Sequence, residues 1–426
     1  MGGVLAIKEY LEYVDLSYKP LKSDLIVSAY IEPGKGIDFK EAAGAVAAES
    51  SVGTWTKVMT SKPSIKKLAA KVFKINGNYV KIAYPVALFE PGNMPQIFSS
   101  VCGNIFGMKE IENLRIEDIC WPDKIIKSFP GPFFGISGVR KITKVKDRPL
   151  CGTIIKPKLG LNEKEHAKVA YEAWVGGIDI VKDDENLSSL SFNKFEKRLE
   201  ETLKLKWKAE KETGEKKIYL ANVTAETKEM IRRANLVKSL GGEAIMVDVV
   251  TVGWAGVQSL RNENLKLILH GHRAMHAALT RNKRHGISMH VIAEACRLIG
   301  IDQLHIGTGV GKMEGSKEEI ISICEKIEKK ATSEHGNIFG QNWGKIKPML
   351  AVCSGGLHPL HVPELVKMFG KDIIIQAGGG VHGHPDGTLA GAKAMRQMID
   401  AVVAGIDPKE YSKNHPELRK AIEKWG

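Results

Sequence analysis

The chain has 426 residues, of which 43% are hydrophobic and 26% charged, and its 62 Lys and Arg exceed its 49 Asp and Glu by 13. This composition is that of an ordinary globular protein and excludes a mainly disordered chain. We find no run of about 20 apolar residues and no secretion signal, and therefore expect a cytoplasmic protein with no membrane partner. No Lys/Arg run is interleaved with aromatic residues, so an anionic small substrate explains the basic excess better than nucleic acid does.

The first third of the chain is predicted to form an α+β domain. Residues 24–31 and 79–84 alternate like strands, and helical patterns lie between them. A segment rich in Pro and Gly, residues 128–135, follows and marks the predicted domain boundary.

The remainder of the chain has the pattern of a (β/α)8 barrel. Eight short apolar runs are each followed by a turn and an amphipathic segment, and we predict strands at residues 151–156, 179–182, 218–223, 244–250, 265–270, 303–306, 349–353 and 373–376. Helices are predicted, for example, at residues 163–175, 228–240, 289–298, 317–329, 362–369 and 389–403. Eight units in about 280 residues fit a barrel, and a doubly wound open sheet is the alternative.

Polar residues end the first predicted barrel strand. Lys156 and Lys158 flank Pro157, and side chains two apart on a strand share a face, so both ammonium groups should point the same way. One lysine would suit proton transfer and the other phosphate binding. A pair of solvated surface lysines is the alternative.

The second predicted strand ends in Lys182, Asp183, Asp184, Glu185 and Asn186. Lys182 and Asp184 share a face, and Glu185 at the turn can approach them. Two carboxylates supply the oxygen ligands that Mg²⁺ prefers, but a charged lysine beside the ion would be repulsive. Carbamylation of Lys182 by CO₂ removes that conflict, whereas an acidic turn with an ion-paired lysine is the plainer interpretation.

Histidines and one arginine follow the fifth and sixth runs. His270, His272, Arg273 and His276 belong to the fifth, and His305 to the sixth. At a barrel mouth such side chains suit acid–base chemistry and anion binding. Zinc bound by the HxH pair is the rival chemistry, and we interpret His270 and His276 as structural.

Three glycine-containing loops complete the predicted mouth. Residues 307–313 imitate a nucleotide-binding loop but lack the Ser or Thr after the lysine, so a loop that swings Lys312 over a bound substrate fits better. Residues 354–356 and 376–380 offer backbone N–H groups to a phosphate at the loops after strands seven and eight. Together with Lys158 they are compatible with a bisphosphate.

At these residues the chain resembles the large subunit of ribulose-1,5-bisphosphate carboxylase/oxygenase (RuBisCO). Matching motifs occur in the family's order at residues 49–56, 103–107, 152–160, 176–186, 272–276, 311–315, 354–356 and 378–380. Each motif alone is weak, whereas the ordered set is specific. The resemblance implies a ferredoxin-like α+β domain at residues 1–130 and a TIM barrel with a short helical tail at residues 131–426.

The resemblance also implies the reaction and the metal. Lys182 would be carbamylated by CO₂ and would bind Mg²⁺ together with Asp184 and Glu185. The carbamate would remove the C3 proton of ribulose 1,5-bisphosphate and give an enediolate on the metal. CO₂, or competing O₂, would add to it, and carboxylation would yield two 3-phosphoglycerate.

Further site residues are assigned by the same resemblance. Lys156 would assist enolisation and protonate the final carbanion, His272 would transfer protons in later steps, and Lys312 would stabilise the new carboxylate. Positions that match substrate contacts are Glu49, Thr54, Trp55, Asn104, Lys158, Arg273, His305, Ser354, Gly355, Gly356, Gln376, Gly378 and Gly379.

The N-terminal positions imply an assembly. In the family this domain completes the barrel site of a second subunit, so we expect a homodimer or an assembly of dimers, with no small subunit required. The short chain and the loop at residues 311–315 are most similar to archaeal form III, which is implicated in nucleoside monophosphate (AMP) salvage. Val52, Ile154 and Met313 depart from the plant-type enzymes.

Two enzymes remain as alternatives. A RuBisCO-like enolase of methionine salvage keeps the fold and metal site but typically loses several matched positions, whereas Glu49, Asn104, His305 and Lys312 are all present. A carbamate-dependent metallohydrolase carries its HxH pair on the first barrel strand, whereas here the pair follows the fifth.

Overall fold

The computed structural model describes residues 9–54, 56, 58–310 and 316–426. The chain divides into two compact units. The first comprises the described part of Met1–Pro130 with Met275–Ile299 and Lys329–Ile346, and the second comprises Gly131–Ala274, the described part of Gly300–Glu328, and Lys347–Gly426. The first unit therefore takes in segments beyond residue 130, and the domain limits 1–130 and 131–426 stay a prediction.

The strands of the described residues, in chain order, are β1 (Leu25–Pro33), β2 (Lys71–Asn76), β3 (Tyr79–Tyr84), β4 (Ile111–Cys120), β5 (Leu150–Ile154), β6 (Ile180–Lys182), β7 (Ile218–Asn222), β8 (Ala244–Asp248), β9 (Ile268–His272), β10 (Gly286–Ile287), β11 (Gln303–His305), β12 (Leu350–Ser354) and β13 (Ile373–Gln376).

The α-helices in the same part of the chain are α1 (Phe39–Glu49), α2 (Met94–Val101), α3 (Asp123–Ile126), α4 (Gly135–Thr143), α5 (Glu163–Val175), α6 (Phe195–Thr213), α7 (Thr227–Ser239), α8 (Val249–Asn262), α9 (Ala277–Thr280), α10 (Met289–Ile299), α11 (Lys317–Glu328), α12 (Val362–Phe369), α13 (Gly379–His382), α14 (Gly387–Ala404), α15 (Pro408–Ser412) and α16 (Pro416–Trp425). Short 3₁₀ helices occupy Ile65–Leu68, Val86–Leu88, Asn104–Gly107 and Pro359–His361.

The first unit contains a sheet with the strand order β10-β4-β1-β3-β2. Its pairs are antiparallel except for the short β10, which pairs with β4 in parallel. Helix α1 begins after Asp38, whose carboxylate accepts hydrogen bonds from the backbone N–H groups of Lys40 and Glu41. Its run of buried alanines lets it pack closely. The predicted α+β organisation is confirmed.

The second unit is a closed barrel with the strand order β11-β12-β13-β5-β6-β7-β8-β9 among the described residues, and all neighbouring pairs are parallel. Because β13 pairs with β5, the sheet closes on itself, and the open-sheet alternative is wrong. The core at the base of the barrel consists of fully buried apolar side chains, among them Leu150, Ile180, Leu220, Met246, Ile268, Val352 and Ile374.

Each predicted barrel run overlaps one of these strands, and the differences lie at the strand ends. Strand β5 stops at Ile154, two residues before the predicted end, which places Lys156 on the following loop. Pro157 has no N–H to donate to a strand ladder. Strand β9 instead continues to His272, two residues beyond the predicted end. Within the described residues, none of the helices combines the length and the apolar character needed to cross a bilayer.

Candidate active site

The end of β6 places a buried lysine beside two carboxylates. Lys182 is the last residue of the strand and is 1% exposed. Its Nζ donates a hydrogen bond of 2.9 Å to the backbone oxygen of Asp183 and lies 3.6 Å from Glu185 Oε2. Asp184 is equally buried, whereas the Glu185 side chain is 33% exposed. The predicted juxtaposition of these three side chains is therefore present.

Burial and charge shift the pKa values of this cluster. Burial lowers the pKa of the Lys182 amine, and the nearby carboxylates of Glu185 and Asp184 oppose that shift without cancelling it. Burial raises the pKa of Glu185, but the positive charges of Lys182 and His272 outweigh it and hold the pKa below its usual range. Glu185 is consequently a carboxylate at neutral pH.

The two lysines after β5 both contact the loop after β6. Lys156 Nζ forms an ion pair of 2.8 Å with Asp184 Oδ2, and Lys158 Nζ donates to Asn186 Oδ1 at 3.3 Å. A Cβ on Gly378 would lie 3.1 Å from the Lys156 side chain, so this glycine allows the lysine to pass close to the backbone after β13. Loops from three barrel strands therefore meet at Lys156.

Asp183 points away from the mouth into a buried polar network that the sequence analysis missed. Its carboxylate, 0% exposed, accepts hydrogen bonds from the Tyr219 hydroxyl at 2.6 Å and the Asn222 backbone N–H at 2.9 Å. His166 Nε2 lies 3.0 Å away and Arg198 Nη2 3.1 Å away. Burial raises the pKa of Asp183, but Arg198 and His166 outweigh it, so the group remains ionised far below neutral pH.

Asn222 is hydrogen-bonded to the backbone of the acidic turn after β6. Its side-chain amide nitrogen approaches the backbone oxygens of Asp184, Glu185 and Leu187 at 3.3, 3.2 and 3.2 Å. The residue is fully buried at the end of β7. A polar residue at the end of a barrel strand was the available sequence signal, but its contacts are made to the neighbouring strand's loop.

His272, at the end of β9, is held by Asp248 at the end of β8. The distance from His272 Nδ1 to Asp248 Oδ1 is 2.7 Å, and His272 Nε2 lies 3.7 Å from Glu185 Oε2. The backbone N–H of Ala274 also approaches Nδ1, at 3.2 Å. The shorter contact to a carboxylate requires a proton on Nδ1, which leaves Nε2 as the nitrogen that can exchange a proton at the mouth. Asp248 is not among the site residues predicted from the sequence.

Arg273 and His305 lie deeper in the same mouth. Burial lowers the pKa of Arg273 to about 10, so it stays a cation, and its guanidinium lies against the backbone of Gly307. His305 Nδ1 is 2.6 Å from Ser354 Oγ, and His305 Nε2 is 2.8 Å from His270 Nε2. His270 is thus hydrogen-bonded within the barrel, which does not fit an HxH zinc pair.

The remaining predicted barrel positions follow β12 and β13. Ser354 ends β12, and Gly355 and Gly356 adopt positive φ values of 124° and 67°. Gln376 ends β13 and is buried, and Gly378 and Gly379 form the start of α13. These residues therefore lie at the carboxyl ends of adjacent strands, as predicted.

Three of the predicted positions that the structure describes belong to the first unit. Asn104 Nδ2 donates to Glu49 Oε1 at 3.4 Å, so these two residues meet, and Thr54 is half-buried. Trp55 and Lys312 lie outside the described residues.

Two protein-family models match the chain. The model for the ribulose bisphosphate carboxylase large chain, catalytic domain, matches residues 135–425, and that for the N-terminal domain matches residues 12–125.

Similar proteins span the whole length. A protein named ribulose bisphosphate carboxylase from Methanosarcina mazei is 52% identical, with 97% of this chain and 99% of the relative covered. A protein of the same name from Pyrococcus abyssi is 48% identical, with 100% of this chain and 99% of the relative covered. Among solved structures, a dimeric archaeal Rubisco from Hyperthermus butylicus has a TM-score of 0.93 at 47% identity. The match covers 98% of this chain and 99% of that structure's chain. An octameric Rubisco from Pyrococcus horikoshii has a TM-score of 0.91 at 48% identity, and the match covers 97% of this chain and 96% of that structure's chain.

Proposed function

The chain belongs to the family of ribulose bisphosphate carboxylase large chains, and on that premise we propose that it carboxylates ribulose 1,5-bisphosphate. This carbon–carbon lyase reaction adds CO₂ and water and breaks the C2–C3 bond, which yields two 3-phosphoglycerate. The observation that carries the proposal is the cluster after β6, where Lys156 and His272 each approach one of the carboxylates beside Lys182.

Lys182 is suited to carbamylation by CO₂. Its amine is buried and its pKa is lowered, so the unprotonated, nucleophilic form is more abundant at neutral pH than for an ordinary lysine. The nitrogen would form a bond to the carbon of CO₂ and release one proton, which leaves an anionic carbamate. An oxygen donor then replaces a cation beside Asp184 and Glu185.

These residues fit Mg²⁺. Within the described residues no group of three or more His, Cys, Asp or Glu side chains is placed to hold a metal, so Asp184 and Glu185 need a further ligand. The carbamate of Lys182 supplies it, and the resulting oxygen set is the kind that Mg²⁺ prefers. When bound, the ion supplies Lewis-acid polarisation of the substrate oxygens.

The chain's own residues move the protons. The carbamate of Lys182 takes the C3 proton of the substrate, and the Lys156 ammonium assists enolisation and later protonates the product carbanion. His272 exchanges protons through Nε2 because Asp248 holds Nδ1. Lys312 stabilises the carboxylate that forms on CO₂ addition.

The proposed substrate contacts are charged, polar and backbone groups from both domains. We assign the phosphates and hydroxyls of the substrate to Glu49, Thr54, Trp55, Asn104, Lys158, Arg273, His305, Ser354, Gly355, Gly356, Gln376, Gly378 and Gly379. The proposed active form is a homodimer, or an assembly of dimers without small subunits, in which the N-terminal domain of one subunit completes the site of the other. O₂ competes with CO₂, the protein is cytoplasmic, and its physiological role is AMP salvage.

The test is fixation of ¹⁴CO₂ with ribulose bisphosphate, assayed anaerobically with and without preincubation in bicarbonate and Mg²⁺. We expect acid-stable phosphoglycerate and a higher initial rate after preincubation. Absence of product at every temperature assayed would overturn the proposed function.

The loop lysine separates carboxylation from enolisation. We expect Lys312→Ala to retain exchange of the substrate C3 proton but to lose carboxylation, because its charge is needed only after CO₂ adds. Lys317→Ala, which removes an exposed lysine paired with Glu364, is the control and should preserve both activities. Equal loss of exchange and carboxylation in Lys312→Ala would contradict the assigned role.

A further inference from the structure

The turn that follows β13 is held against β5 by a buried side chain. This turn, residues 377–382, contains Gly378 and Gly379, which the proposed function assigns to the substrate. The hydroxyl of Thr153, a fully buried residue of β5, donates a hydrogen bond of 2.7 Å to the backbone oxygen of Ala377. The start of the turn is therefore fixed to the strand.

His382 connects the other end of the turn to the same hydroxyl. Its Nε2 lies 3.1 Å from Thr153 Oγ1, and its Nδ1 lies 3.0 Å from Thr388 Oγ1 in the first turn of α14. The backbone N–H of His382 donates to the Gly378 oxygen at 3.1 Å. The two ends of the turn, Ala377 and His382, thus both contact Thr153.

The imidazole of His382 is neutral at pH 7. Burial lowers the pKa of His382 to about 4, and the positive charge of Lys156 acts in the same direction. A hydrogen bond to the Ile154 backbone opposes the shift without cancelling it. A neutral imidazole has one donor nitrogen and one acceptor nitrogen.

The direction of these hydrogen bonds follows from the backbone oxygen of Ala377. This oxygen can only accept, so the Thr153 hydroxyl donates its single proton to it. The Thr153 oxygen must then accept from His382 Nε2, and His382 Nδ1 accepts from the Thr388 hydroxyl. Each of these polar atoms therefore has a compatible partner.

We propose that His382 is a positioning residue for the turn at residues 377–382, and that its hydrogen bond to Thr153 keeps the backbone N–H groups of Gly378 and Gly379 oriented toward a phosphate of the substrate. Backbone N–H groups in a turn form an anion-binding concavity. A turn that is ordered before binding loses less conformational entropy when the anion binds. The identity of the phosphate as part of ribulose 1,5-bisphosphate rests on the proposed function.

Substrate binding should respond more than catalysis. Lys156, which lies against Gly378, is also held by its ion pair of 2.8 Å with Asp184. We expect His382→Leu to raise the KM for ribulose 1,5-bisphosphate about 3- to 10-fold, as for the loss of one hydrogen bond, with kcat changed less than about 2-fold. Thr153→Val should have the same effect, and the double variant should be no worse than either single variant. An unchanged KM, or additive effects, would overturn the proposal.

Two further substitutions separate the two hydrogen bonds of the ring. Glutamine places an amide N–H near the position of Nε2, whereas asparagine places an oxygen near Nδ1 and does not reach Thr153. His382→Gln should therefore keep KM within about 2-fold of wild type, and His382→Asn should resemble His382→Leu. Equal effects of the two would indicate a general packing role and contradict the proposal. His384→Gln is the matched control, because its ring contacts the Glu417 backbone oxygen, and it should leave KM unchanged.

A binding measurement separates this inference from the proposed function. Isothermal titration with inorganic phosphate compares wild type, His382→Leu and Thr153→Val without turnover, and both variants should bind about 3- to 10-fold more weakly. Equal affinities would overturn the role of His382. If the expected difference is found but the wild type fixes no CO₂, the proposed function fails and the positioning role stands.

Discussion

Asp183→Asn tests the buried network beneath the candidate metal ligands. The substitution keeps the shape of the side chain, but it removes the negative charge and one of the two acceptor oxygens, of which Oδ1 accepts from the Tyr219 hydroxyl and Oδ2 from the Asn222 backbone N–H. Arg198, which is 0% exposed and 3.1 Å from the carboxylate, then loses its counter-charge. The structure therefore predicts a large loss of stability from a change of a few atoms.

The expected loss is about 3 kcal/mol in the free energy of unfolding. Removing one partner of a buried ion pair costs roughly 3–5 kcal/mol because the other charge is left desolvated, and the retained oxygen of Asn puts the value at the lower end. Arg198→Met should cost a similar amount. Because each substitution removes the same interaction, the double variant should lose at least about 1 kcal/mol less than the sum.

The assay is equilibrium unfolding in guanidinium chloride, followed by circular dichroism, for wild type, both single variants and the double variant. Asp123→Asn is the control, since its ion pair with Lys127 is exposed and worth under about 1 kcal/mol. The pKa of Asp183 is depressed in the folded state, so its contribution should be constant above about pH 4 and be lost only as the pH falls toward that depressed value. A loss below about 1 kcal/mol, or strict additivity, would refute the reasoning.

Three further predictions concern the same unit. Lys182→Arg keeps a cation but cannot form the carbamate, so we expect no activation by bicarbonate and Mg²⁺ in ¹⁴CO₂ fixation; full activation would exclude Lys182 as the carbamylated group. Asn222→Ala removes the hydrogen bonds to the turn that carries Asp184 and Glu185. The Mg²⁺ concentration for half-maximal activation should then rise roughly 10- to 100-fold. An unchanged Mg²⁺ titration would show that Asn222 does not position these carboxylates. Burial lowers the pKa of His270 to about 3 in the folded state, whereas in the unfolded state its pKa is about 6.5. Between these two pH values only the unfolded state binds the proton, so the free energy of unfolding should fall on acidification by up to about 1.4 kcal/mol per pH unit. His270→Gln should reduce that slope, measured by unfolding at pH 7, 5.5 and 4.5, and an unaltered slope would contradict the assignment.

The barrel could be predicted from the sequence because its signals are local. Each strand is a short apolar run and each helix carries its own amphipathic period, and the helices at Glu163–Val175 and Val362–Phe369 have the predicted bounds. Strand ends were less predictable, since β9 gains His272 from pairing with Asp248 on β8, a contact between residues distant in sequence.

The candidate site was predictable only where its residues are consecutive in the chain. Lys182, Asp184 and Glu185 lie within one turn, and a period of two places the first two on one face. Asn222 and Asp248 act on that turn and on His272 from neighbouring strands, and nothing adjacent to them in the sequence indicates their partners. Their positions at strand ends are the only local signal.

The register of β6 explains why two adjacent aspartates have opposite environments. Lys182 pairs with Ile154 of β5 and Leu220 of β7, and the backbone N–H of Asp183 donates to the Leu220 oxygen. Asp183 therefore points to the helices, where Arg198 neutralises it, while Asp184 faces the mouth and Lys156. A shift of one residue would exchange these environments. The strand register, more than the identity of the acidic residues, thus determines which carboxylate is available to a metal ion.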